Sequence, residues 1–198
     1  DLENIAINKV VKASSKAAND VSEENVVDGN IKTRWASHNN NNEYITIDLG
    51  DSYYINQVIL NWETAYGKKY KILGSLDDKT YFEIFNEDSS DGGIDNIIFD
   101  KQLVRYVKMQ GVEKATQWGY SLYEFEVYGK SLKEDLQKLY DEYIKIDGKD
   151  YTPNSYQLLN KMLESSKEIL DNPNANEKEI KEMEEKLQDT YYKLVIKA

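Results

Sequence analysis

Asp28, Asn30 and Thr33 set three oxygen-bearing side chains in the order D-x-N-x-x-T, inside one short loop. A hard divalent cation such as calcium takes six to eight oxygens at about 2.3–2.6 Å, so the loop is a candidate metal site; it also reads as an ordinary Asp-Gly-Asn turn. Trp118 lies in the polar stretch Thr116-Gln117-Trp118-Gly119-Tyr120, outside any alternation of apolar and polar positions. An indole placed there reads as a flat face for stacking on a ligand, with Tyr120 either sharing that role or packing beneath the loop. Glu63 follows Trp62 on the opposite face of its strand, where a carboxylate can accept two hydroxyl hydrogen bonds or pair with a protonated amine. Trp35 and Trp62 read as core. His38 and Arg34 lie close to these loops in sequence, as candidates for ligand contact or for structural hydrogen bonds.

Other chemistries are excluded. The chain has no cysteine and one histidine, so it cannot build a disulfide framework, a thiolate nucleophile, a zinc–thiolate site or a multi-histidine metal site. Glu63 with Glu43 or Asp51 could be drawn as a hydrolytic acid pair, but chance pairs are expected among 36 acidic residues. Neither a nucleophile–base set nor a glycine-rich phosphate loop accompanies them, so the expectation is binding without catalysis. A net charge of −11 argues against nucleic acid or an anionic membrane as partner. No apolar run approaches the roughly 20 residues that a membrane helix needs.

The elements that must position these groups change character at Gly129. Period-two alternation dominates before it: Ile45, Ile47 and Leu49, closed by Gly50-Asp51; then Val58, Leu60 and Trp62; then Tyr70 to Leu73. Further strand candidates are 81–85, 97–99, 104–109 and 122–128, separated by Asp- and Gly-rich turns. Short strands at this spacing, with no helical stretch between them, predict an antiparallel sandwich over residues 1–129. Residues 130–198 hold one of the ten glycines, both prolines and helical spacing. Ser131 with Glu134 reads as a capping box before Leu132, Leu136, Leu139 and Tyr143. Thr152-Pro153 opens a second helix, and Asn176 with Glu179 caps a third carrying Ile180, Met183 and Leu187. Short breaks between them predict a three-helix bundle.

Stretches of the first part, in order, resemble the coagulation-factor type C or discoidin domain, and more closely its bacterial branch, carbohydrate-binding module family 32. They include Val27-Asp28-Gly29-Asn30, Thr33-Arg34-Trp35-Ala36-Ser37, Ile47-Asp48-Leu49-Gly50, Leu60 to Tyr66, and Trp118 to Gly129. The resemblance implies an all-β jelly-roll sandwich that binds a glycan through loops at one end: 37–42, 63–66 and 116–120. Trp118, Glu63, Tyr120, Tyr66, His38 and Arg34 are the ligand-binding candidates it suggests. It also implies a structural Ca2+, held by the carbonyls of Asn25, Asn30 and Tyr123 and by side-chain oxygens of Asp28, Thr33 and Glu124. Galactose-binding members carry arginine and histidine where this chain has Glu63 and Ala36, which points instead to an amino-sugar, N-acetylhexosamine or β-glucan-type glycan. Residues 131–196 look like a FIVAR module, through Tyr151-Thr152-Pro153-Asn154-Ser155 and Ile169 to Asn176. Together these imply a secreted or cell-surface bacterial accessory module that targets a parent glycoside hydrolase, with a helical spacer or docking module open to a protein partner. The competing expectation is a protein–protein adhesion module of a bacterial surface protein.

Overall fold

The computed structural model describes residues 2–198, which form two compact units divided between Lys130 and Ser131. Eight strands make up the first: β1 (Glu3–Asn4), β2 (Val10–Ala13), β3 (Trp35–Ala36), β4 (Tyr44–Trp62), β5 (Gly67–Ser75), β6 (Phe82–Glu87), β7 (Ile94–Lys114) and β8 (Ser121–Ser131). Two of them are far longer than the alternation predicts. β4 runs through Gly50-Asp51 instead of ending there, and β7 joins 97–99 to 104–109. Gly50 takes φ +81°, and the β4–β7 pairing shifts register between Asp48 and Tyr53. A glycine in that conformation lets a strand bulge and turn while its ladder resumes, so the break in hydrophobic pattern marks a bend and not an end. Arg105 pins the bend, donating to both carboxylate oxygens of Asp48 at 2.9 and 3.2 Å.

Bending puts each long strand in both layers of a β-sandwich. The first half of β4 pairs with β2 and with the second half of β7, which continues to β5 and then β6. Its second half pairs with the first half of β7, and β8 lies on its other side, flanked in turn by β1 and β3. Between the layers Trp35, Ile45, Ile47, Tyr70, Ile72, Met109, Leu122 and Phe125 are fully buried. Burial of that much aliphatic and aromatic surface is the main drive for the unit to fold. The polar ends of its buried aromatic side chains are satisfied. Asp95 Oδ2 accepts from Trp62 Nε1 at 3.0 Å, Tyr70 OH at 2.6 Å and Ser90 Oγ at 2.9 Å, and the Trp35 indole donates to Ser15 O at 2.9 Å.

Gly111 shows how close this packing is. A Cβ built there would lie 2.4–2.5 Å from the phenol ring of fully buried Tyr120. Gly111→Ala must therefore displace that ring, and it should lower stability by about 1–3 kcal/mol, read as a fall in the melting temperature of the strand unit.

The second unit contains α1 (Glu134–Tyr143), α2 (Pro153–Leu170) and α3 (Glu177–Tyr192). Their inward stripes bury Leu136, Tyr143, Leu159, Leu163, Ile180, Met183 and Leu187, and Tyr143 stacks on Tyr191 with centroids 4.3 Å apart. Asn176 caps α3, its Oδ1 accepting from Glu179 N at 2.8 Å while its amide donates to Glu179 Oε1 at 2.9 Å. The capping box expected at Ser131 and Glu134 does not form. Ser131 ends β8, its hydroxyl accepts from Lys133 N at 3.1 Å, and α1 starts at Glu134 with no side-chain cap. Lys133 instead folds inward, and its ammonium donates to Leu170 O at 3.2 Å and Asn172 O at 2.6 Å. That places a cation at the C-terminus of α2, where orphan carbonyls and the helix dipole favour one. Among the described residues no helix is long and apolar enough to cross a membrane.

Candidate functional site

At one end of the sandwich, four stretches enclose an open cleft of about 840 Å³: residues 17–21, 34–39, 63–65 and 118–121. β3 supplies Ala36 from the short strand that pairs with β8, and β4 delivers Glu63 one residue past its end. The turn before β8 carries Trp118, stiffened by a hydrogen bond from its own N–H to Thr116 Oγ1 at 3.1 Å. Trp118 is 63% exposed, while Trp35 and Trp62 are buried at 0% and 3%. The three tryptophans thus divide as their sequence settings predict: two alternate into the core and one stands at the cleft.

Glu63 faces the cleft with its side chain 22% exposed. Partial burial pushes its carboxyl up, but N–H groups of Ala65 and Thr64, the Ser121 hydroxyl and the Arg34 charge outweigh that and hold it below its ordinary value of 4.5. Arg34 donates to Ser121 Oγ at 2.9 Å and lies 3.9 Å from Glu63 Oε2, so it orients the carboxylate from the side without covering it. His38 is exposed on the same rim.

Two expected ligand contacts are corrected. Tyr120 touches the cleft only from below, with its residue fully buried. Its hydroxyl donates to Asn41 O at 2.7 Å and its ring packs against Trp62 at 6.3 Å, so it is the floor that carries the loop and offers no face for stacking. Tyr66 lies outside the cleft, against the core and Gly92, whose added Cβ would meet the Tyr66 ring at 2.9 Å. The turn between β4 and β5 sets this: Glu63, Thr64 and Ala65 line the cleft, and the chain then carries Tyr66 back against the core before β5 begins. Residues 17–21, with Asp20 among them, complete the cleft and were missed because a short mixed stretch, Ala17-Ala18-Asn19-Asp20-Val21, with no aromatic gives no periodic signal.

The oxygen-donor loop lies in the same unit. Asp28 Oδ1 accepts from Asn30 N at 2.9 Å, Asp28 Oδ2 accepts from the Thr33 hydroxyl, and that hydroxyl approaches Asn30 O at 3.0 Å. Gly29, at φ +72°, closes the turn and aims its N–H at Glu124. Glu124 itself is 5% exposed, and its Oε1 is buried with no hydrogen-bond partner. Burial first, then the facing Asp28 carboxyl, push the Glu124 carboxyl up to about 8. Asn25 comes from the 3-10 turn Glu23–Val27, its amide donating to Arg34 O at 2.9 Å, and Tyr123 adjoins Glu124 on β8. No group of three or more His, Asp or Glu side chains placed to hold a metal ion occurs among the described residues, so the other oxygens here are neutral ones. An exposed carboxyl, Asp28, facing a buried one, Glu124, with one buried oxygen orphaned, is an arrangement a divalent cation would relieve.

Comparison with known proteins places this architecture. The chitosan-binding module 2 of a chitosanase/glucanase from Paenibacillus sp. IK-5, solved with chitotriose, is 38% identical over 64% of this chain and 100% of that one, with a TM-score of 0.63. A CBM32 module from a family 31 glycoside hydrolase of Clostridium perfringens is 25% identical over 65% of this chain and 95% of that one, with a TM-score of 0.55. Among curated proteins, a polysaccharide lyase 8 family protein, HylA, from Enterococcus faecalis is 30% identical over 134 residues; the match takes in 64% of this chain and a tenth of that relative's length. The solved neighbours are non-catalytic carbohydrate-binding modules, and the strand unit that they match is an ancillary module of the same non-enzymatic kind. The F5/8 type C domain model matches residues 10–125, more than half of the chain, and the chain therefore belongs to that family.

Proposed function

We propose that the cleft binds a glycan bearing amino sugars and so holds a parent glycoside hydrolase on its substrate. One observation carries the reading: an exposed indole and an ionised carboxylate line the same open cleft, the pairing that a pyranose with a polar edge needs. Aromatic contact takes the apolar face of the ring, and Glu63 takes hydroxyls or a protonated amine. The chitotriose complex of a module 38% identical to this chain supports a glucosamine-type ligand. Weak single-site binding gains effect when modules are linked in one polypeptide. The helical unit, FIVAR-like in sequence, would serve as spacer or protein-docking module, and we infer secretion from the glycosidase setting of the relatives. The metal loop would hold Ca2+ through Asp28, Thr33, Glu124 and the carbonyls of Asn25, Asn30 and Tyr123. Bound there, the ion would supply charge neutralisation and a tie between the first loop and the last strand.

Isothermal titration with glucosamine, N-acetylglucosamine, galactose and laminari-oligosaccharides tests the proposal. Glucosamine oligomers should bind most tightly, and Glu63→Gln should remove their advantage over neutral sugars. The pH dependence has a definite sign. Because the Glu63 carboxyl sits below 4.5, it keeps its charge at neutral pH, and affinity for the protonated amino sugar should fall as pH drops beneath that value. Equal binding of all four sugars by wild type and Glu63→Gln would show that the carboxylate reads nothing.

A further inference from the structure

Glu43 is a buried acid with no part in the metal loop and no place in the cleft lining. It is 6% exposed, immediately before β4, a position where an unpaired charge is costly. Its surroundings account for it. The Ser14 hydroxyl donates to Glu43 Oε2, the Ser15 hydroxyl to Oε1 at 2.8 Å, and the Asn40 amide to Oε1 at 3.3 Å.

These donors lead toward the cleft. Ser15 Oγ, while donating to Glu43, accepts from His38 N at 2.9 Å. His38 O in turn accepts from Asn40 N at 2.9 Å and from Ser37 Oγ at 2.8 Å. The loop so tied then grips the tryptophan turn. Ser37 N donates to Tyr120 O at 2.8 Å, Tyr120 N donates to Ser37 Oγ at 2.9 Å, and the Tyr120 hydroxyl reaches Asn41 O at 2.7 Å. Gly119, next to Trp118, approaches so closely that an added Cβ would sit 2.3 Å from His38 O. An unbroken path of hydrogen bonds and backbone contact therefore runs from a buried carboxylate to the turn that carries the exposed indole.

We propose that Glu43 is a positioning residue: it fixes loop 37–42, and through it the Trp118 turn, in the binding geometry before any ligand arrives. The physical basis is the strength of hydrogen bonds to an ionised acceptor, and the entropy that a preformed loop does not have to lose on binding. The proposal rests on the glycan-binding reading for its consequence, and on the loop itself for its cause.

Two variants separate the contributions. Glu43→Gln keeps the shape and removes the charge, and Ser15→Ala cuts the relay to His38 while leaving Glu43 its other donors. Amide hydrogen exchange, measured well below the melting temperature, should quicken about tenfold at His38 and Asn40 in both variants and stay unchanged at Ile47 and Val107. Affinity for chitotriose should weaken about tenfold, with slower association. A purely structural role would lower the melting temperature and leave exchange and affinity of the folded protein as they were. Unchanged exchange at His38 and Asn40 in Glu43→Gln, where His38 N keeps its Ser15 acceptor, overturns the proposal. If the wild type ignores chitotriose while the exchange difference stands, the ligand assignment fails and the positioning role survives.

Discussion

Trp118→Ala is expected to weaken glycan binding about 30-fold while leaving the melting temperature within about a degree of wild type. The two halves of that expectation come from the same number. A tryptophan 63% exposed contributes little to the core, so its removal opens no cavity and few internal contacts are lost. Stacked on a pyranose, the same indole would bury most of that surface, and an aromatic contact of this type is worth about 2 kcal/mol, close to 30-fold in affinity. Trp62→Ala should behave in the opposite way. Its ring is buried against Tyr70 and Tyr120 and its N–H donates to Asp95 at 3.0 Å, so its loss should destabilise the whole unit by about 3–5 kcal/mol. Titration of both variants with glucosamine oligomers, beside thermal melts, distinguishes contact from scaffold. An affinity unchanged in a folded Trp118→Ala protein would move the ligand elsewhere on the sandwich.

That contrast also explains what could be read from the sequence. Trp62 shares a face with Val58 and Leu60, so alternation alone buried it; Trp118 stood out because no periodic pattern claimed it. Glu63 was legible by the same rule, as the residue after a buried one at a strand end. Tyr120 and Tyr66 were not. Whether a tyrosine in a loop lies above it or beneath it depends on groups far along the chain, here Asn41 and Gly92, which no local pattern encodes. The length of β4 was hidden for a related reason. Gly50 ends a run of alternation in the sequence, yet its positive φ bends the strand and lets pairing resume at Tyr53. Capping signals carried mixed information: Asn176 and Glu179 had no competing partner and made their reciprocal bonds, whereas Ser131 belonged to a strand before it could cap a helix. The positioning role of Glu43 lay beyond reach, since its donors come from two loops that only the fold brings together.

Removing calcium is expected to lower the melting temperature of the strand unit by roughly 10 °C at pH 8, with chelator against millimolar calcium as the comparison. A ligand at about 100 times its dissociation constant stabilises the folded state by about 2.7 kcal/mol, and a unit of this size gains a few degrees per kcal/mol. The donor loop and Glu124 come from opposite ends of the sandwich sequence, so the ion would restrain a long segment of chain. Without it the Glu124 carboxyl sits at about 8 in the folded protein against an ordinary 4.5. The folded state then binds more protons than the unfolded one across that interval, and the stability of the chelated protein should fall as pH rises from about 4.5 to about 8. Held at the proposed site, calcium would compete with the same proton, so its stabilising effect should grow over the same range and be small near pH 5. Glu124→Gln supplies the decisive comparison. The amide that replaces the carboxyl cannot ionise, so the melting temperature of this variant should respond weakly both to pH in this interval and to calcium. Asp51→Asn, at the distant β4 bend, should preserve both responses. Equal melting temperatures for the wild type with calcium and with chelator at pH 8 would mean that the two facing carboxyls share a proton and hold no ion.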